Sequence, residues 1–142
     1  MALEFPLRLV TPTGVLFEGL VREVDAVNPL GEFGVLADHI NFITALSPGI
    51  LTIVNPDGTP NRFLVTGGLV EVKDGAMTVL ADEAEAPRVA DEAELARVVE
   101  QAEEKLPVSL YDPSYAEAAE EIAILRARIH ASQIARESSS RG

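Results

Sequence analysis

The chain is predicted to be mainly β with an α-helical appendage: an N-terminal antiparallel β-sandwich followed by a C-terminal antiparallel helical hairpin. Three observations carry this expectation. From Leu3 to about Ala86, short apolar runs are punctuated by Gly, Pro, Asn and Asp, the grammar of strands and turns. From Pro87 onward that punctuation nearly stops and apolar residues recur at three- and four-residue steps, as on one face of a helix. The length, 142 residues, suits one domain, or a small domain with an appendage, and has no room for two large catalytic lobes.

In chain order, LRLVTP, GLVREVDAVNP, GVLAD, FITALSPG, ILTIVNPDG, NRFLVTGG, LVEVKDG and AMTVLADE each offer a short strand-compatible run before a turn signal. Val24 to Val27 and Leu69 to Val72 alternate apolar and polar, as half-buried strands do, whereas Ile50 to Val54 and Met77 to Leu80 are more continuously apolar. Short strands at roughly ten-residue spacing favour an antiparallel sandwich or barrel over a parallel α/β sheet. Asn55-Pro56-Asp57-Gly58 and Lys73-Asp74-Gly75 place glycine where hairpins need positive φ, so their flanking strands should pair. Gly67-Gly68 lies inside an apolar strand pattern and signals a bulge or a close backbone approach.

The first helix is expected over Asp91 to Leu106, with Leu95, Val98, Ala102 and Leu106 on one face. Asp91 is a candidate N-cap with Glu94 three residues on, a variant of the capping box, and Pro107 stops the helix. The connector PVSLYDP leads to a second helix, which Ser114 can cap. There Tyr115, Ala118, Ile122, Leu125 and Ile129 form a helix-on-helix seam. Early acids (Glu117, Glu120, Glu121) and late bases (Arg126, Arg128, Arg136) complement its dipole. The expected division is 1–86 for the β domain, 87–137 for the helical hairpin and 138–142 for a disordered tail.

The hairpin's inward positions mix Ala90, Ala93, Ala102, Ala118 and Ala119 with few larger residues. Burying a Leu or Ile contributes roughly 1.5–3 kcal/mol, while ordering each residue costs about 1.5 kcal/mol. Alanine repays little of that cost. Either the hairpin is an ordinary small-residue helical layer, or it is lightly docked with alternative placements within a few kcal/mol.

Composition excludes several roles. The formal net charge is −12, divided as −8 before residue 87 and −4 after it, so electrostatic attraction to nucleic acid or anionic lipid has the wrong sign. The absence of cysteine removes disulfides, thiol nucleophiles and thiolate metal sites. The N-terminus lacks the pattern of a secretory signal, and no stretch approaches the roughly 18 apolar residues of a membrane span. A soluble protein is expected, reaching a membrane only through partners.

Catalytic signals are weak. There is no GxxxxGK[ST], GxSxG or HExxH. His39 and His130 lie in different halves without ligand-like spacing, and Asp38-His39, being adjacent, would point to opposite faces of a strand. GEFG at 31–34 is followed by strand-like Val35-Leu36 rather than a helix N-terminus, so it is not a phosphate loop. What remains of GEFGVLADH, residues 31–39, is a carboxylate, a phenyl ring and an imidazole displayed on a β scaffold, suited to protein contact.

LVREVDAVNPLGEFGVLADHINFITALSPGILTI, then FLVTGGLVEVKDGAMTVLADEAE, then two Ala/Glu-rich helices together resemble the ε subunit of the F-type ATP synthase, in that family's order and over nearly the whole chain. The resemblance implies a ten-stranded sandwich followed by a helix-turn-helix, with no catalytic or metal-binding residues and no required cofactor. It implies a rotor subunit of the central stalk that couples the γ subunit to the c-ring at the cytoplasmic face of the bacterial inner membrane. The hairpin would extend along γ to inhibit ATP hydrolysis, its helices reaching the catalytic α/β subunits. By motif position Thr11, Glu32 and His39 would be polar contacts to the c-ring, while Gly31 and Gly34 would serve turn geometry.

Two departures stand out. Asn41 occupies a position where the family commonly has proline, which leaves the local backbone less fixed. Some members bind ATP between sandwich and hairpin through (Ile/Leu)-Asp-x-x-Arg-Ala. Here Ala90 to Leu95 keeps Asp91 but puts Glu94 in place of the arginine, which repels phosphate, so only Asp91 with Arg126 and Arg128 would remain for a nucleotide. A small-molecule sensor using such a groove is the alternative function.

Overall fold

The structure is a computed structural model that describes residues 3–141, the side chains of 139–141 excepted. It contains ten strands, β1 (Phe5–Thr11), β2 (Gly14–Val21), β3 (Glu23–Asn28), β4 (Gly31–Leu36), β5 (Phe42–Leu46), β6 (Gly49–Val54), β7 (Pro60–Val65), β8 (Gly68–Lys73), β9 (Ala76–Ala81) and β10 (Ala84–Glu85), then helices α1 (Glu92–Glu104) and α2 (Tyr115–Arg141). The chain divides into two compact units between Ala86 and Pro87.

The first unit is a sandwich of two five-stranded sheets, ordered β2-β1-β9-β8-β5 and β10-β7-β6-β3-β4. Both expected hairpins form: β6 pairs with β7 across the Asn55–Gly58 turn and β8 with β9 across Asp74-Gly75. One neighbouring pair is parallel, β1 with β9, in register from Leu7 with Met77 to Val10 with Leu80. The core is aliphatic, built by the inward alternation of both sheets. Leu7, Leu9, Val24, Leu51, Ile53, Val70, Met77 and Val79 are sealed from solvent, with Phe17, Phe33, Phe42 and Phe63 packed at its margin.

Local detail departs from periodicity in three places. The run GLVREVDAVNP breaks at Arg22, so Gly19 to Val21 close β2 and Glu23 opens β3. The register of β1 with β2 slips after Leu9, leaving Leu16 as an extra residue on β2, a bulge that interrupts the period-two signal. Gly68 has φ +140, and a Cβ there would lie 2.0 Å from the Leu80 carbonyl oxygen. The doublet therefore permits a close backbone approach.

In the second unit, Asp91 caps α1 as expected, accepting the Glu94 backbone N–H at 3.1 Å. The reciprocal half of a capping box is absent, since the Glu94 carboxylate turns to Arg97 instead. The buried residue of α1 is Val99, with Leu95, Val98 and Ala102 half-buried, so the face is rotated slightly from the expected one. Ser114 does not cap α2 with its side chain. Its hydroxyl donates to Asp112 Oδ1 at 2.7 Å. The helix continues to Arg141, past the expected boundary at residue 137. No Pro or Gly interrupts Ser138 to Arg141, and extending a formed helix adds one bond per residue fixed. Of the tail expected to be disordered, Gly142 lies outside the described residues.

Candidate functional site

Strand direction decides which expected contact residues meet. β1 runs parallel to β9 and antiparallel neighbours alternate, so Thr11 lies at the sandwich end shared by the close of β9 and β5 and the start of β8. Glu32 pairs with Val27 near the β3–β4 turn, and the Val27 carbonyl accepts the N–H of Ser47, just past β5, at 2.8 Å. Thr11 and Glu32 therefore share one end, laterally apart because β9 and β8 lie between β1 and β5. His39, between β4 and β5, belongs to the opposite end, where Asn41 Oδ1 accepts the Asp74 N–H at 2.9 Å. The three residues do not converge.

Each has its own setting. Thr11 is buried, its hydroxyl 2.9 Å from that of Thr13, so it braces the β1–β2 turn rather than facing outward. Glu32 is exposed, next to Leu30, which is 97% exposed. The β3–β4 turn thus displays a carboxylate and an apolar side chain together at its end of the sandwich. His39 Nδ1 donates to the Ile40 carbonyl at 2.9 Å, and its ring stacks obliquely on Phe42 at 4.9 Å. A carbonyl only accepts, so this bond fixes which nitrogen carries hydrogen. The imidazole is not oriented by Asp38, which sits at φ 64, and no dyad forms.

Asn41 corrects one expectation. Besides accepting from Asp74, it donates through Nδ2 to the Asp74 carboxylate at 3.5 Å. A side-chain clamp onto the neighbouring turn holds the backbone that proline would otherwise restrict. Gly31 (φ +125) does serve turn geometry. Gly34 serves space instead: a Cβ there would approach Asp25 Oδ1 to 2.8 Å. Asp25, paired across from Gly34, has its carboxyl pushed up to about 6, first by burial, then by a hydrogen bond with Glu23 and by the charges of Glu23 and Glu32.

The surface with most to offer a partner is one that motif reading missed. On the outer side of the β2-β1-β9-β8-β5 sheet, register aligns Ala45 with Leu69, Leu69 with Leu80, Leu80 with Val10 and Val10 with Val15. This is one apolar row across all five strands. Leu69 is 42%, Leu80 48% and Val15 45% exposed, with Ile43 beside the row at 65%. At the β5 edge a shallow depression of about 440 Å³ is lined by Asn41, Phe42, Ile43, Glu71, Val72 and Lys73. A contiguous exposed apolar band rimmed by charge marks a protein-contact surface. The signal was present in the sequence as outward Leu69 and Leu80, but only register joins them.

The nucleotide constellation does not assemble. Asp91 is spent as a helix cap, and Arg126 pairs with Glu103. Glu103 lies twelve residues along the same helix from Asp91, about 18 Å at 1.5 Å per residue. Arg128 is half-buried and two residues from Arg126, so the two side chains leave α2 in different directions. Among the described residues no cluster of acids and histidines could hold a metal, and no helix is long and apolar enough to cross a membrane.

The family described as ATP synthase, Delta/Epsilon chain, beta-sandwich domain matches residues 4–87, more than half of the chain. The chain belongs to the ATP synthase delta/epsilon family. An ATP synthase epsilon chain of Nitrobacter hamburgensis is 48% identical over 80 residues, 56% of this chain and 58% of that protein. One from a Bradyrhizobium species is 44% identical over the same shares. The matches thus span under two thirds of these relatives' length, and they leave part of this delta/epsilon-family chain uncovered. Among solved structures, a chain of the Euglena gracilis mitochondrial ATP synthase superposes with TM-score 0.75 over 94% of this chain and 83% of its own length at 24% identity. A Tetrahymena thermophila mitochondrial ATP synthase central stalk/c-ring chain gives 0.58, with 89% and 95% covered at 19% identity. These two likenesses establish the fold of the delta/epsilon-family chain.

Proposed function

We propose that this chain is a non-catalytic rotor subunit of a rotary ATP synthase, seated between a γ-type subunit and the c-ring, with its helical hairpin regulating ATP hydrolysis. The observation that carries the reading is the apolar row across five strands on a well-packed, family-matched sandwich. Torque transfer calls for a stiff body and a broad apolar contact, and a sheet face supplies both. The sandwich docks γ through this row and touches the c-ring loops through Glu32 and the β3–β4 turn. Thr11 and His39 take part as a brace of the neighbouring turn and as a contact at the far end. The helices reach the catalytic α/β subunits. The protein works peripherally at the cytoplasmic face of a bacterial inner membrane, held there by its partners. A nucleotide-sensing role has less support, because Asp91, Arg126 and Arg128 do not converge and Glu94 carries the wrong charge.

The test is a paired substitution, Leu69→Glu with Leu80→Glu. Both sites are solvent-facing, so the sandwich should fold with an unchanged circular dichroism spectrum, while co-purification with γ should fall at least roughly tenfold, as for loss of an interface anchor. Undiminished capture of γ would overturn this face as the docking surface. A parent chain that ignores both γ and the assembled synthase would overturn the rotor reading.

A further inference from the structure

Ser132 is fully buried on α2, among the described residues the one buried polar side chain of a hairpin whose other buried positions are Val99, Ile122, Ala127 and Ala131. Its hydroxyl accepts the Ala90 N–H at 2.9 Å and lies 2.9 Å from Glu92 Oε2, to which it donates. The same carboxylate is gripped by Arg136, Nε to Oε2 at 2.6 Å and Nη2 to Oε1 at 2.7 Å. Backbone, hydroxyl, carboxylate and guanidinium thus form one closed set joining the entry of α1 to the second half of α2.

Position gives the set its leverage. At the other end, residues 105–114 join the helices covalently, so separation there is limited by the chain itself. At the mouth nothing covalent holds α2 against α1. The buried apolar side chains Val99, Ile122, Ala127 and Ala131 pack along the seam and fix no single closed position, whereas a buried hydroxyl stripped of its partner costs more than an exposed ion pair contributes. The Arg126–Glu103 pair is of that exposed kind, with side chains 62% and 44% accessible.

We propose that Glu92, Ser132 and Arg136 form a latch that sets the closed-to-open equilibrium of the hairpin. The latch stands on geometry alone; only its consequence for hydrolysis rests on the rotor reading above.

The chain has no cysteine, so a pair introduced at the exposed positions Ala96 and Gln133 takes spin labels cleanly, and the distance distribution reports the mouth in the full-length protein. The parent should give one short, narrow distance. Glu92→Gln, which removes the charge that Arg136 grips, and Ser132→Ala, which removes the hydroxyl, should each raise the long-distance fraction by at least roughly fivefold, the effect of losing a hydrogen bond to a charged group. Combining them should add little, because both break one set. Glu103→Gln should stay within about twofold, as an exposed pair does. Should Ser132→Ala lose helicity, the exposed Arg136→Gln replaces it with the same expected direction. Unaltered distances in Glu92→Gln and Arg136→Gln, or an equal response from Glu103→Gln, overturn the latch. Hydrolysis by the assembled synthase is read separately: opened distances with unchanged hydrolysis support the latch and overturn the inhibitory role of the hairpin.

Discussion

A methyl group at position 34 would come within 2.8 Å of Asp25 Oδ1, so the second glycine of GEFG leaves room for a carboxylate on the neighbouring strand that would have to shift for alanine. Gly34→Ala should cost on the order of 1 kcal/mol in the parent, because the carboxylate must move, and clearly less in an Asp25→Ala background. A denaturant-melt double-mutant cycle reads that coupling, and strict additivity would contradict the contact. Asp25 also carries a pH signature. Its carboxyl is raised to about 6, chiefly by burial, so between the ordinary carboxylate value and 6 the folded state binds more protons than the unfolded one. Stability is therefore lost as pH rises through that window. Asp25→Asn should stabilise the sandwich at pH 7.5 by on the order of 1 kcal/mol after allowance for solvent screening. The gain should vanish by about pH 4, and melting temperatures at the two pH values check both arms.

At the scale of elements, α1 turns Val99 inward rather than leaving the seam to Val98. Val99→Ala should weaken the hairpin by about 1–3 kcal/mol through lost burial and the cavity left behind. Val98→Ala, at a half-buried site, should cost less than half of that, as read by the helical signal on heating. Much of this level was legible in the amino acids: both hairpin turns, the Asp91 cap and the change from strand to helix at Pro87 follow from local chemistry. What was not legible is non-local. β2 hides because Leu16 is an extra residue that breaks alternation, and the parallel pairing of β1 with β9 joins segments some seventy residues apart. The site suffers in the same way. Thr11, Glu32 and His39 are expected by motif position to be contacts to one partner, yet strand direction sends His39 to the other end. The apolar row exists only once Val10, Leu69 and Leu80 are brought into register.

For the molecule as a whole, the division at Ala86 and Pro87 has an energetic basis. Among the described residues the buried sandwich core runs from Phe5 to Ala81, with Ala84 packed against it, all within the first unit. Deleting residues 88–142 should therefore leave a cooperatively folding sandwich with its apolar row intact and still able to join the rotor. If the hairpin acts as a brake, the assembled enzyme carrying the truncated chain should hydrolyse ATP several-fold faster, on the scale of an ordinary allosteric coupling of 1–3 kcal/mol, and if the apolar row is the coupling face proposed above, synthesis should persist. Steady-state hydrolysis and synthesis measured on the same preparation separate the possibilities. Faster hydrolysis with synthesis retained assigns braking to the hairpin and coupling to the sandwich. Unchanged hydrolysis leaves the hairpin a purely structural layer. Loss of both activities would show that the helices, rather than the sheet face, hold the rotor together.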